Sequence, residues 1–124
     1  MAPSATQSLG ARAETVALRH MRQHGLKLLR RNFSCRLGEI DLILLDGETL
    51  VFTEVRYRSA GRLVDALLTV DHRKQAKLVR AAGVFMKKHP MHARRVSRFD
   101  VIAIDVLPNM ANRLTWVRDA FRPN

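Results

Sequence analysis

Two apolar runs joined by a short turn constrain this chain more than any other feature. Ile40-Asp41-Leu42-Ile43-Leu44-Leu45 and Leu50-Val51-Phe52-Thr53-Glu54-Val55-Arg56-Tyr57 flank Asp46-Gly47-Glu48-Thr49. Runs of this length, bounded by a turn that contains glycine, read as the two strands of an antiparallel hairpin. Side chains two apart on a strand point the same way. Glu39, Asp41, Ile43 and Leu45 are therefore expected on one face, as are Leu50, Phe52, Glu54 and Arg56. A four-residue loop sets Leu45 against Leu50 and Asp41 opposite Glu54. A two-residue loop at 46–47 slips the register by two and sets Glu54 opposite Glu39. Both registers keep Asp41 and Glu54 on one face, because a slip of two preserves it.

The remaining elements follow from periodicity and punctuation. Ser8 is placed to cap a helix running to about His24, whose stripe is Leu9, Ala13, Val16, Ala17 and Met21, with Gly25 at the left-handed stop. Leu26 to Cys35 reads as extended, ending in a loop at Leu37-Gly38. Residues 58–64 read as a loop around Gly61, and residues 65–70 as a short helical turn. A long helix is expected from Asp71 to Lys88, with Leu78, Val79, Ala82, Phe85 and Met86 on its apolar side and Pro90 closing it. Phe99 to Val106 is a further strand, Pro108-Asn109 a turn, and Leu114 to Val117 a last strand. The order is α-β-β-β-α-β-β, an α/β class with a mixed sheet flanked by helices.

At 124 residues, 47% of them hydrophobic, the chain suits one cored domain over residues 8–124, with residues 1–7 as a loose leader. No apolar run reaches the length of a membrane span, and no secretory signal is visible at the N-terminus. Cys35 is the only cysteine, which excludes an internal disulfide and a cysteine zinc cluster, and a cytoplasmic location is expected. Twenty-two Lys and Arg oppose eleven Asp and Glu, for a net charge of +11. Self-repulsion of that size calls for a polyanion: nucleic acid first, an anionic membrane surface second. The excess of Arg over Lys favours phosphate, which the guanidinium fork pairs bidentately.

Against that basic background, carboxylates at the centre of a hairpin stand out. Opposed carboxylates repel unless a cation lies between them. Hard oxygen ligands suit Mg²⁺ or Mn²⁺ with several waters retained. Arg56 projects beside such an ion, and a divalent cation next to a fixed positive charge stabilises phosphodiester hydrolysis. The same spacing also fits solvated carboxylates, or salt bridges to Arg56 and Arg36.

Gly10-x-x-x-Glu14, Arg31-Asn32-Phe33, Gly38-Glu39-Ile40-Asp41-Leu42-Ile43, Val51-Phe52-x-Glu54-Val55-Arg56-x-Arg58, Lys74, Arg98-Phe99-Asp100-Val101 and Ala120-Phe121 together resemble the YraN-like family of small bacterial proteins. That family is similar to archaeal Holliday-junction resolvases and to the restriction-endonuclease-like superfamily. The resemblance spans residues 8 to 121 and implies an αβββαβ nuclease core. It implies Asp41 and Glu54 as metal ligands and Glu14 as a further acidic residue over the same metal. Arg56 stands where active enzymes of the superfamily carry lysine, and arginine cannot act as a base. Lys74, at the start of the second long helix, could supply an amine from elsewhere or be a solvated helix residue.

Arg73, Lys77 and Arg80, continued by Lys87, form a basic row opposite the apolar side of that helix. With Arg58 and Lys74 they could track phosphates, or they are the solvated face of an amphipathic helix. His20 and His24 lack the glutamate of a zincin motif and read as surface histidines. Phe33 and Trp116 read as core, and Asp100 as a structural partner of Arg98. The expected function is nucleic-acid binding, DNA foremost, with Mg²⁺-dependent phosphodiester hydrolysis through Asp41, Glu54, Glu14 and Arg56. The rivals are a catalytically silent binding module and a basic protein bound to an acidic partner or membrane surface. Resolvase-like relatives work as dimers, and a homodimer of this chain would span a branched substrate.

Overall fold

A computed structural model describes residues 8–59, 70–106 and 112–123. The expected leader at 1–7, most of the loop and helical turn at 58–70, and the Pro108-Asn109 turn lie outside them. Helix α1 (Leu9–Gln23) leads into strands β1 (Lys27–Cys35), β2 (Gly38–Asp46) and β3 (Thr49–Ser59). Helix α2 (His72–Lys88), strand β4 (Ser97–Val106) and strand β5 (Asn112–Phe121) follow. The sheet order is β1-β2-β3-β4-β5, parallel between β3 and β4 and antiparallel elsewhere. A parallel neighbour cannot be reached by a tight turn, so the chain crosses over through α2 between β3 and β4.

The helix ends are set as the sequence indicates. The Ser8 hydroxyl accepts from the Ala11 amide at 3.1 Å, and Gly25 turns the chain at φ +89°. The Asp71 carboxylate accepts from the Lys74 amide at 2.8 Å, and Pro90 opens a short 3₁₀ turn just past α2. The hairpin closes on Gly47-Glu48, because Asp46 pairs with Thr49. Leu45 still pairs with Leu50, so the connection is a two-residue loop in the register expected of the longer one. Three strands run two or more residues further than expected: β3 to Ser59, β4 from Ser97, and β5 from Asn112 to Phe121.

Each face of the sheet carries one helix and one core. On the α1 face, Ala17, Leu18 and Met21 pack against Leu42, Leu44, Val51, Ile102 and Ile104. On the α2 face, Leu78, Ala81, Ala82 and Phe85 pack against Phe33, Ile40, Ile43, Phe52 and Val101. Phe33 is buried, its ring meeting that of Phe85 edge-on at 5.4 Å. Trp116 is half-buried against the α1-side core, with the Arg118 guanidinium 4.1 Å from its ring centroid. No helix among the described residues is long and apolar enough to cross a membrane.

Asp100 holds the β4 end of the sheet. It is 1% exposed, and its carboxylate accepts from Arg98 at 2.9 and 3.2 Å, from the Trp116 indole at 3.0 Å and from the Asp119 amide at 2.9 Å. The last bond anchors Asp119, a residue at φ +53° where β4 and β5 shift register. Removing one partner of a buried ionic group leaves the other uncompensated. Asp100→Ala is expected to lower the free energy of unfolding by about 3–5 kcal/mol in urea denaturation. A loss below about 1 kcal/mol would show that the network is not what closes β5 onto β4.

Candidate active site

The feature that builds the site is a break in regular alternation. Ile40 and Leu42 are two apart on β2, yet Ile40 enters the α2-side core and Leu42 the α1-side core. Arg31 and Phe33 on β1 part in the same way: Arg31 bonds to α1, while Phe33 joins the α2-side core. The β1–β2 pairs Arg31↔Leu42 and Phe33↔Ile40 enclose one rung, which by count sets Asn32 opposite Asp41 and carries no regular pair. Asn32 has φ +56°, a left-handed conformation that Asn tolerates better than most residues. Both strands therefore turn at this rung. Glu39, expected on the face of Asp41, is exposed, and its charge is felt at Asp41.

The turn frees Asp41 to reach across to β3. Regular pairing of β2 with β3 ends at Leu42↔Thr53, and Asp41 Oδ2 then accepts from the Val55 amide at 2.8 Å. Glu54, the residue before that amide, is 8% exposed and sits on β3 beside Val101. The two carboxyls lie within hydrogen-bonding range of each other. Burial first, then the Glu54 charge, push the Asp41 carboxyl from an ordinary 3.8 up to about 7, against the Val55 bond, which favours its ionised form. Glu39 adds to the rise.

Helix α1 brings in Glu14. Its carboxylate accepts from Arg31 Nε at 3.3 Å, and Arg31 also donates to Ala11 O at 2.7 Å and Thr15 Oγ1 at 3.0 Å, fixing α1 to β1. The Glu14 carboxyl is raised above its ordinary value by burial and by the charge of Asp41, with Arg31 and the Asn32 side chain opposing. Among the described residues, no three His, Cys, Asp or Glu side chains converge as a ready-made metal cage. Two carboxylates do suit Mg²⁺, which keeps most of its waters.

Lys74 belongs to this site. Its ammonium lies 3.5 Å from Glu54 Oε2, with the Lys74 side chain 41% and that of Glu54 10% exposed. Lys74, read from the sequence as a possible amine for this site, is thus paired with Glu54. The first turn of α2 delivers it, and the Asp71 cap fixes that turn. Arg56 is half-buried on β3, beside Ala103 of β4. Arg58 pairs by register with Asp105, and its side chain lies outside the described residues. Arg73, Lys77, Arg80 and Lys87 are exposed along one side of α2. His20 and His24 lie together at 4.5 Å between ring centroids, on the surface near Trp116.

A family model described as "Uncharacterised protein family UPF0102" matches residues 13–104. Among curated relatives, a UPF0102 protein of Stutzerimonas stutzeri is 51% identical over 118 residues, covering 95% of this chain and 98% of its own. One from Pseudomonas fluorescens is 46% identical over 121 residues, 98% of each chain, and one from Nitrosococcus oceani is 43% identical over 122 residues, again 98% of each.

The raised Asp41 carboxyl sets a pH dependence. The folded protein holds a proton there that the unfolded chain releases near 3.8, so this contribution to stability is full below that value and is lost as pH rises to about 7. In metal-free buffer, wild-type stability is expected to decline across that window relative to Asp41→Asn, which keeps an acceptor for Val55 but has no proton to lose. Parallel pH–stability curves for the two proteins, from thermal melts, would contradict the burial of this pair.

Proposed function

We propose, for a chain that belongs to the UPF0102 family, that it binds nucleic acid, DNA foremost, and hydrolyses phosphodiester bonds with Mg²⁺ or Mn²⁺ held by Asp41 and Glu54. The observation that carries this reading is the buried Asp41–Glu54 pair with the Lys74 amine 3.5 Å from it. A carboxyl kept protonated toward neutral pH by burial first and by its carboxylate neighbour second is a destabilising arrangement in the absence of a cation. A bound divalent ion supplies Lewis acidity and a more acidic water.

The side chains have separable roles under this reading. Asp41 is oriented by the Val55 amide, so its free oxygen and the Glu54 carboxylate present hard donors toward one place. Lys74 is a compact donor that holds a water or a phosphate oxygen beside Glu54. Arg56 stays charged and binds a phosphate without exchanging its proton. Glu14, steadied by Arg31, orients water on the far side of Asp41. The exposed cations of α2 hold the backbone of the substrate, which positions it without reading sequence.

Wild type is expected to bind Mn²⁺ in calorimetric titration and to nick plasmid or branched DNA. Asp41→Asn should lose both, and unchanged Mn²⁺ binding in that variant sinks the site assignment. Lys74→Met should retain DNA binding while cleavage falls by about 10²-fold or more, the size of one well-placed electrostatic group. Metal binding without cleavage in wild type would leave a silent binding module. With about five phosphates neutralised, log affinity for duplex should fall against log salt with a slope of about −4 to −5. A slope near zero in fluorescence anisotropy would exclude phosphate-led binding.

A further inference from the structure

Asn32 lies outside the carboxylate set, yet its backbone is bound up with the geometry of the site. Its φ of +56° interrupts β1 at the rung facing Asp41. On either side of that rung both strands exchange faces, Arg31 going to α1 and Phe33 to α2, Leu42 to the α1-side core and Ile40 to the α2-side core. A regular β1–β2 ladder would hold Asp41 to strict alternation and leave the Val55 amide to a backbone carbonyl. Here the Asp41 carboxylate takes that amide at 2.8 Å. Arg31, one residue earlier, pairs regularly with Leu42 on the α1 side, where it binds Glu14.

We infer that Asn32 is a positioning residue, whose left-handed backbone turns β1 and β2 together so that Asp41 reaches β3. Left-handed residues cost energy unless surrounding structure holds them, and such positions concentrate at functional sites. Asn32 is exposed, and its side chain hydrogen-bonds Glu14 rather than packing in a core, so Asn32→Gly removes that bond while keeping the backbone angle that concerns Asp41. The requirement lies in the backbone angle, which glycine meets freely and a β-branched residue meets badly. The inference rests on the metal-site reading for its consequence, but the turn itself can be observed without metal.

The test compares Asn32→Gly with Asn32→Val in two measurements. The first is hydrogen exchange of the Val55 amide in metal-free protein. Asn32→Gly should protect it as wild type does, and Asn32→Val should exchange it about 10-fold faster or more. The second is Mn²⁺ affinity by calorimetry, expected within about 3-fold of wild type for Asn32→Gly and about 10- to 100-fold weaker for Asn32→Val, the range for a residue that orients metal ligands. Should Asn32→Val fail to fold, Asn32→Ala replaces it, with the same direction and a smaller effect. Wild-type Val55 protection and Mn²⁺ affinity in the Val or Ala variant would overturn the inference, as would an Asn32→Gly protein as impaired as Asn32→Val. If wild type itself binds no Mn²⁺, the functional reading fails while Val55 exchange still decides the role of Asn32.

Discussion

A carboxylate that takes the place of a backbone carbonyl in a sheet must leave the ordinary alternation of its strand. The bond from the Val55 amide to Asp41 does this at the middle of the β1–β2–β3 meander, and much of the site depends on it. It accounts for the end of regular β2–β3 pairing at Leu42↔Thr53 and fixes which oxygen of Asp41 remains for other work. It also holds the peptide between Glu54 and Val55, so the two acidic residues are oriented through one shared peptide group. A flexible surface pair would relax by moving apart, whereas this one cannot. The result is a carboxyl that stays protonated toward neutral pH, held by burial and by its neighbour.

The sequence discloses the hairpin well because its determinants are local. Apolar runs, a glycine turn and a period of two are enough to place Asp41 and Glu54 together, and Leu45↔Leu50 is the pair that the longer-loop register requires. The caps at Ser8 and Gly25 and the stop at Pro90 are equally local. The turn at Asn32 is not legible, because asparagine signals no particular backbone angle inside a run of strand residues. Lys74 pairs with Glu54 across twenty positions of sequence, so the sequence offers it as a possible amine or a solvated helix residue, and only the tertiary contact decides for the first. The reach of β5 to Phe121 is likewise tertiary, resting on Asp100 gripping Trp116 and Asp119 rather than on strand periodicity.

The distribution of charge is as informative as its sum. Glu14, Asp46, Glu48, Glu54, Asp100 and Asp119 each face a cation within the fold, and Asp71 caps α2. The acidic residues thus serve internal order, and those with internal partners do little to offset exposed arginine and lysine at a distance. The net charge of +11 is consequently felt mainly at the surface, with the exposed row on α2 among its carriers. A polyanion approaching that helix meets cations first and the recessed carboxylates of the same sheet face only at close range. This separation suits a phosphate backbone, which exposed carboxylates would repel.

Under the proposed hydrolytic function, arginine at position 56, where the resemblance to nucleases implies lysine, has a physical reading once Lys74 is considered. What hydrolytic chemistry asks of an amine is its location beside the carboxylates and a small, exchangeable donor, and neither property depends on the strand that bears it. The first turn of a capped helix holds a side chain about as firmly as a strand does, and Lys74 lies in such a turn, its backbone amide fixed by Asp71 at 2.8 Å. Arginine on β3 can then take a different task, because a planar, permanently charged fork suits phosphate and not proton exchange. Two cations on separate elements thereby divide work that one strand lysine would otherwise combine. Binding and turnover should respond independently to their substitution, as they would not if a single group carried both.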